Sequence, residues 1–175
     1  MLLAAARTAQ AQPAAVVQAR VCVRTTGEAA VAACRRALEL GLPAARQPAI
    51  EATLAARLAA LGRGDDVVEV YRGAVSRRPA DGEAHLRLGA ALLHMQGQAA
   101  EAEPTLREAV RLRPEDAEAQ ALLGNALGLL GRSAEAVAAF EQALRLDPAV
   151  LDARPAARAI YEAARQGRRW PAGPG

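Results

Sequence analysis

The 175-residue chain carries 22 basic residues, every one of them arginine, against 19 acids, for a formal net charge of +3. Charges of both signs are interspersed and only Tyr71, Phe140, Tyr161 and Trp170 are aromatic, so the chain lacks the basic stripe and stacking residues of a nucleic-acid binder. No run approaches the ~20 consecutive apolar residues of a membrane-spanning helix, and the abundant alanine suits closely spaced helices.

Residues 1–13, MLLAAARTAQAQP, contain the small-x-small pattern Ala9-Gln10-Ala11, a signal-peptidase site before Gln12. The apolar part, Leu2 to Ala6, is shorter than the ~7 to 15 residues of a signal core, and no positive residue precedes it. The segment reads as a clipped signal segment, an alanine-rich helix or a disordered start. A clipped signal implies a periplasmic or secreted protein; the alternative is cytoplasmic.

Residues 14–47 read as a degenerate repeat-like unit. Its second half, Gly27 to Leu42, has helical spacing through Ala30, Cys34 and Ala37. In its first half Val16, Val17, Val21 and Val23 are β-branched and weaken the helix, so Ala14 to Val23 is helical or extended. Cys22 and Cys34 are the only cysteines. They are buried small apolar residues or a disulfide; without a nearby histidine they make only half a tetrahedral metal shell, and no metal is expected. On two well-formed antiparallel helices the pair is offset beyond the ~4.4–6.8 Å Cα separation of a bridge. Closure is expected only if Val21 to Thr26 is extended.

Three repeats follow, at residues 48–81, 82–116 and 117–148. Glu51, Leu54, Ala55, Leu58, Val67, Tyr71, Ala74 and Pro79 recur as His85, Leu88, Gly89, Leu92, Ala102, Leu106, Ala109 and Pro114, then as Gln120, Leu123, Gly124, Leu127, Ala136, Phe140, Ala143 and Pro148. The prolines stand 35 and 34 residues apart. Each copy holds two apolar stripes at spacings of three and four around a glycine, Gly62, Gly97 or Gly131, that suits a left-handed helix stop. Acids open the second helices and arginines close them, as the helix dipole favours. The middle copy has one extra residue near Gly97, expected to lengthen a loop. Pro104 is expected to kink the second helix of that copy, or to confine regular hydrogen bonding to the part after Glu101.

The row resembles the tetratricopeptide repeat, a family of two-helix units, and the chain is identified as a bacterial member. The resemblance implies an all-α, right-handed α-solenoid of antiparallel helix pairs with small residues where the helices cross, namely Gly124 with Ala136, Gly89 with Ala102, and Ala55 with Val67. Residues 149–166, with Leu151, Ala157, Ile160, Tyr161 and Ala164 at helical spacing and Pro155 in the first turn, resemble the helix that covers the last repeat in that family. Residues 167–175, GRRWPAGPG, read as a disordered tail.

Catalysis finds no foothold. Histidine occurs only at His85 and His94 and serine only at Ser76 and Ser133, with no acid–base or nucleophile constellation, and no cofactor is expected. The resemblance implies instead a concave groove lined by the first helix of each repeat, formed by Ala56, Leu86, Ala90, Leu93, His94, Ala121, Asn125 and Leu129. Asn125 stands where the family often places an asparagine that bonds a peptide backbone; a solvated polar residue is the other reading. Ala52, Leu86 and Ala121 occupy the places where a carboxylate clamp needs basic residues. The expected partner is therefore an unidentified protein or peptide offering an apolar helix or extended segment. The alternative is a homo-oligomer or cell-envelope assembly through the Ile160 and Tyr161 helix or the degenerate first unit.

Overall fold

A computed structural model describes residues 2–95 and 98–168, with side chains from residue 13 onward. Gly97 and the last seven residues, including Trp170, lie outside the described residues. Among those described there are α-helices and one 3-10 turn but no strand, and none of the helices is long and apolar enough to cross a membrane. The chain divides into two compact units, residues 1–74 and 75–175.

The first unit contains α1 (Leu2–Arg24), α2 (Gly27–Glu39), a 3-10 turn (Ala44–Arg46), α3 (Gln47–Ala60) and most of α4 (Gly64–Arg77). Its core gathers Ala15, Cys22, Val31, Cys34, Leu42, Ile50, Leu54 and Leu58, with Val67 and Val70 of α4 packed on the outside. Despite its valines, α1 is helical through Arg24. Packing against α2 and α3 outweighs a propensity cost of a few tenths of a kcal/mol per residue. Glu51, at the position where the row elsewhere holds His85 and Gln120, is 1% exposed.

Cys22 and Cys34 form a disulfide, with sulfurs 2.08 Å and Cα atoms 4.8 Å apart. The bridge does not need the extended segment that the sequence suggested. Thr25 still bonds back to the Val21 carbonyl, Thr26 is extended (φ −131°, ψ 171°) and Gly27 is left-handed (φ 65°). Three helical steps from Cys22 to Thr25 and two extended steps to Gly27 advance the chain about 11 Å. Seven helical steps from Gly27 to Cys34 return about the same distance, roughly 10.5 Å. The connection overshoots the end of α1, and that overshoot cancels the register offset.

The second unit contains α5 (Gly82–His94), α6 (Ala99–Leu112), α7 (Ala117–Leu129), α8 (Ser133–Leu146) and α9 (Pro155–Arg165). α5 ends at His94 and α6 begins at Ala99; Gly97, near which the extra residue of the middle repeat was expected, lies outside the described residues. Gly62 and Gly131, at φ 71° and 75°, are the left-handed helix stops the spacing predicted. Pro104 lies inside α6, which begins at Ala99. The Ala102 N–H already bonds to the Gln98 carbonyl at 3.0 Å, and α6 runs unbroken past the proline to Leu112.

The glycines of the expected crossings also make room for large side chains. A Cβ on Gly89 would stand 2.5 Å from Leu106, and one on Gly124 would stand 2.9 Å from the Phe140 ring. Each glycine is thus a recess for the large side chain one turn beyond the alanine first paired with it. Phe140 is fully buried there and tilts against Tyr161, with ring centroids 5.5 Å apart. Gly128 in turn receives Ile160 of α9, which packs against both α7 and α8. Ile160, expected as a self-association edge, is buried in that contact.

Ion pairs tie successive second helices together. In the first unit Asp66 of α4 accepts from Arg63 at 2.6 Å and from Arg35 of α2 at 2.8 Å. In the second, Glu135 of α8 accepts from Arg132 at 2.6 Å and from Arg107 of α6 at 3.0 Å. The bond from Arg63 holds the Asp66 carboxyl below the ordinary carboxylate range, with Arg35 adding to it; Arg132, aided by Arg107, does the same for Glu135. A lowered folded pKa means that the contribution is complete above the ordinary value, about 4, and disappears as pH falls through the lower folded value. Thermal midpoints are therefore expected to hold from neutral pH to about 5 and to fall below about 4. Asp66→Asn with Glu135→Gln should flatten that fall in a pH series of melting curves. The effect is modest and salt-sensitive because all these groups face solvent.

Candidate functional site

Two aspartates set the site in place. Asp81 Oδ1 accepts from the Glu83 and Ala84 N–H groups at 3.1 and 3.3 Å, and Asp116 Oδ1 accepts from Glu118 and Ala119 at 2.9 and 3.1 Å. Each satisfies two of the otherwise unpaired donors that open a helix. Both caps follow a repeat-closing proline by two residues, so α5 and α7 begin in the same way. His85 Nε2 donates to the Pro79 carbonyl at 2.9 Å, giving that histidine a structural role.

The contacting helices α5 and α7 carry seven of the eight groove residues; Ala56, exposed on α3, belongs to the first unit. Their surroundings differ from the expected continuous lining. Leu86 is 2% exposed and Ala121 is fully buried, so both support the face from within and neither can touch a ligand. Ala90, Leu93, Asn125 and Leu129 are half-buried, and His94 is exposed at the end of α5. Ala90 and Asn125 stand nine residues after their respective capping aspartates, at equivalent places on the two helices. The Asn125 amide oxygen is buried yet accepts no hydrogen bond from any described protein group. A buried acceptor without a partner costs about 1–3 kcal/mol; a half-turn of the half-buried amide brings that oxygen outward, where a ligand donor can meet it.

A cavity of about 810 Å³ in the same unit is lined by Glu83, Arg87, Arg113, Asp116, Glu118 and Arg154, among others. Each of its arginines is held by a carboxylate: Arg87 pairs with Glu83 at 2.7 Å, Arg113 with Glu83 and Asp116, and Arg154 with Glu118 at 2.7 Å. These pairs stabilise the helix ends, and Glu115 and Asp147 on the same lining leave it five acids against three arginines. Among the described residues no cluster of metal-ligating side chains occurs.

Residues 58–126 and 117–150 match family profiles described as Tetratricopeptide repeat, together spanning more than half of the chain. The protein belongs to the tetratricopeptide-repeat family. It shares the all-α solenoid fold of that family and is a protein–protein interaction module. Among solved structures it is similar to TTC0263, a thermophilic TPR protein in Thermus thermophilus, with 24% identity, a TM-score of 0.55 and coverage of 79% of this chain and 81% of that one. It is also similar to YrrB, described as a TPR protein with an unusual peptide-binding site, at 25% identity and TM-score 0.61, covering 81% and 70%. A mutant of MamA aligns over 93% of this chain and 90% of its own, at 22% identity and TM-score 0.60. Comparison with curated proteins returns no match.

Proposed function

We propose that this tetratricopeptide-repeat protein holds an apolar helix or extended segment of a partner protein against the α5–α7 face, without catalysing a reaction. Ala90, Leu93 and Leu129 supply apolar contact, and Asn125 accepts a backbone N–H from the bound segment. Asn125 carries this reading, because its amide oxygen lacks a protein donor and it stands with the half-buried, apolar Ala90, Leu93 and Leu129. The peptide-binding site of YrrB, a neighbour of the same fold, supports it.

Leu93→Asp combined with Leu129→Asp places two charges on this face, at positions already partly open to water. Such anchors are worth about 2 kcal/mol each, so affinity for peptides selected on the wild-type protein is expected to fall at least about 30-fold. Titration calorimetry measures the loss and circular dichroism checks the fold. Unchanged affinity in a folded variant places peptide binding elsewhere.

A further inference from the structure

The first unit holds a second recess, between the first helices of two successive helix pairs, α1 and α3. Along α1, Ala15, Ala19 and Cys22 turn into the core shared with α2, while Val16, Arg20, Val23 and Arg24 fall on the neighbouring stripe. That stripe, the 3-10 turn and the start of α3 enclose a groove of about 350 Å³, near the lower end of ligand-sized clefts. Val16, Val23, Ala49 and Ile50 give it an apolar lining, and Arg20, Arg24 and Arg46 stand around its mouth.

Those three arginines differ from their neighbours. Arg35, Arg36, Arg63 and Arg72 in the same unit each hold a carboxylate. Arg20, Arg24 and Arg46 are exposed, and no ion pair or hydrogen bond engages their side chains among the described residues. The first acid in the chain is Glu28, and between Glu39 and Asp65 the only one is Glu51, which is buried. The groove is therefore an apolar slot with a cationic rim and no carboxylate of its own at the surface.

We propose that this groove docks an acidic, aliphatic segment of a partner protein, with aliphatic side chains entering between α1 and α3 and Asp or Glu carboxylates meeting Arg20, Arg24 and Arg46. Guanidinium groups match carboxylates in planar, two-bonded geometry. No aromatic lines the groove, so it lacks the stacking platform of a single-stranded nucleic-acid site. Its apolar lining is recessed between helices, which suits an inserted side chain better than a lipid surface. This site is separate from the α5–α7 face and stands or falls independently of it.

The test is selection of a random-peptide phage library on the full wild-type chain, followed by affinity measurement of the enriched peptides. A class of enriched peptides is expected to carry several carboxylates beside aliphatic residues and to weaken as salt rises. Arg20→Gln, Arg24→Gln and Arg46→Gln together should lower affinity for that class about tenfold or more, and Val23→Asp, at an exposed position, should do the same. The Leu93→Asp, Leu129→Asp variant should bind this class as the wild type does, which separates the two sites. Absence of an acidic class, or its undiminished binding to the triple glutamine variant, overturns the proposal. So does arginine-dependent sedimentation with phosphatidylglycerol-containing vesicles but not with phosphatidylcholine alone, which assigns the rim to lipid.

Discussion

Phe140→Ala should destabilise the second unit by about 3–5 kcal/mol, the usual range for truncating a buried phenylalanine. The ring is fully buried, fills the recess left by Gly124 and packs on Tyr161 of the neighbouring helix α9. Removing it therefore opens a cavity at the point where α7, α8 and α9 meet, and these helices cannot close the gap without moving the Gly128–Ile160 contact as well. Phe140→Leu should cost less, because it retains part of the volume. Chemical denaturation of the two variants measures the difference. A loss below about 1 kcal/mol for the alanine variant would show that the ring does not hold these helices together.

Replacing both cysteines, Cys22→Ala with Cys34→Ala, should cost the first unit about 3 kcal/mol, the loop-closure value for a bridge of this span. The cysteines are separated by 12 residues, both side chains are fully buried, and the bridge joins α1 to α2 in a unit with no other covalent tie. Alanine keeps the sites apolar, so the change reports the lost cross-link rather than a new buried hydroxyl. A wild-type melting curve that does not move when reductant is added, with full alkylation of both thiols, would contradict the bridge as a source of stability.

The three clear repeats were legible because their constraints are local: a small residue where a neighbouring side chain enters, a glycine at a left-handed stop, a proline after the second helix. Gly62, Gly89, Gly124 and Gly131 all serve such purposes in the structure. The two capping aspartates were equally local, in Pro79-Ala80-Asp81 and Pro114-Glu115-Asp116, and their spacing from the repeat-closing prolines was the signal that could have found them.

What depends on third neighbours was not legible. Counting along a helix puts Leu86 and Ala121 on the groove side, but α7 is packed by α5, α6, α8 and α9, which leaves only a narrow strip around Asn125 and Leu129 half-open. Valines in α1 left that segment helical or extended, and contact with α2 and α3 accompanies the helix that forms. The Cys22–Cys34 register depended on how far Thr25 to Gly27 carry the chain beyond α1. The arginine-rimmed groove left one trace in the sequence, an acid-free stretch before Glu28, and charge balance over the whole chain concealed it.

The most direct test of partner binding at the α5–α7 face is photo-crosslinking in the native host from a probe at Leu93, with a control probe at the exposed Ala138 of α8 and the adducts read by mass spectrometry. One dominant foreign protein is expected from Leu93, absent from the Ala138 control and competed away by excess unlabelled protein. Self-adducts alone, or the same adducts from both positions, would contradict the assignment of that face as a partner-binding site.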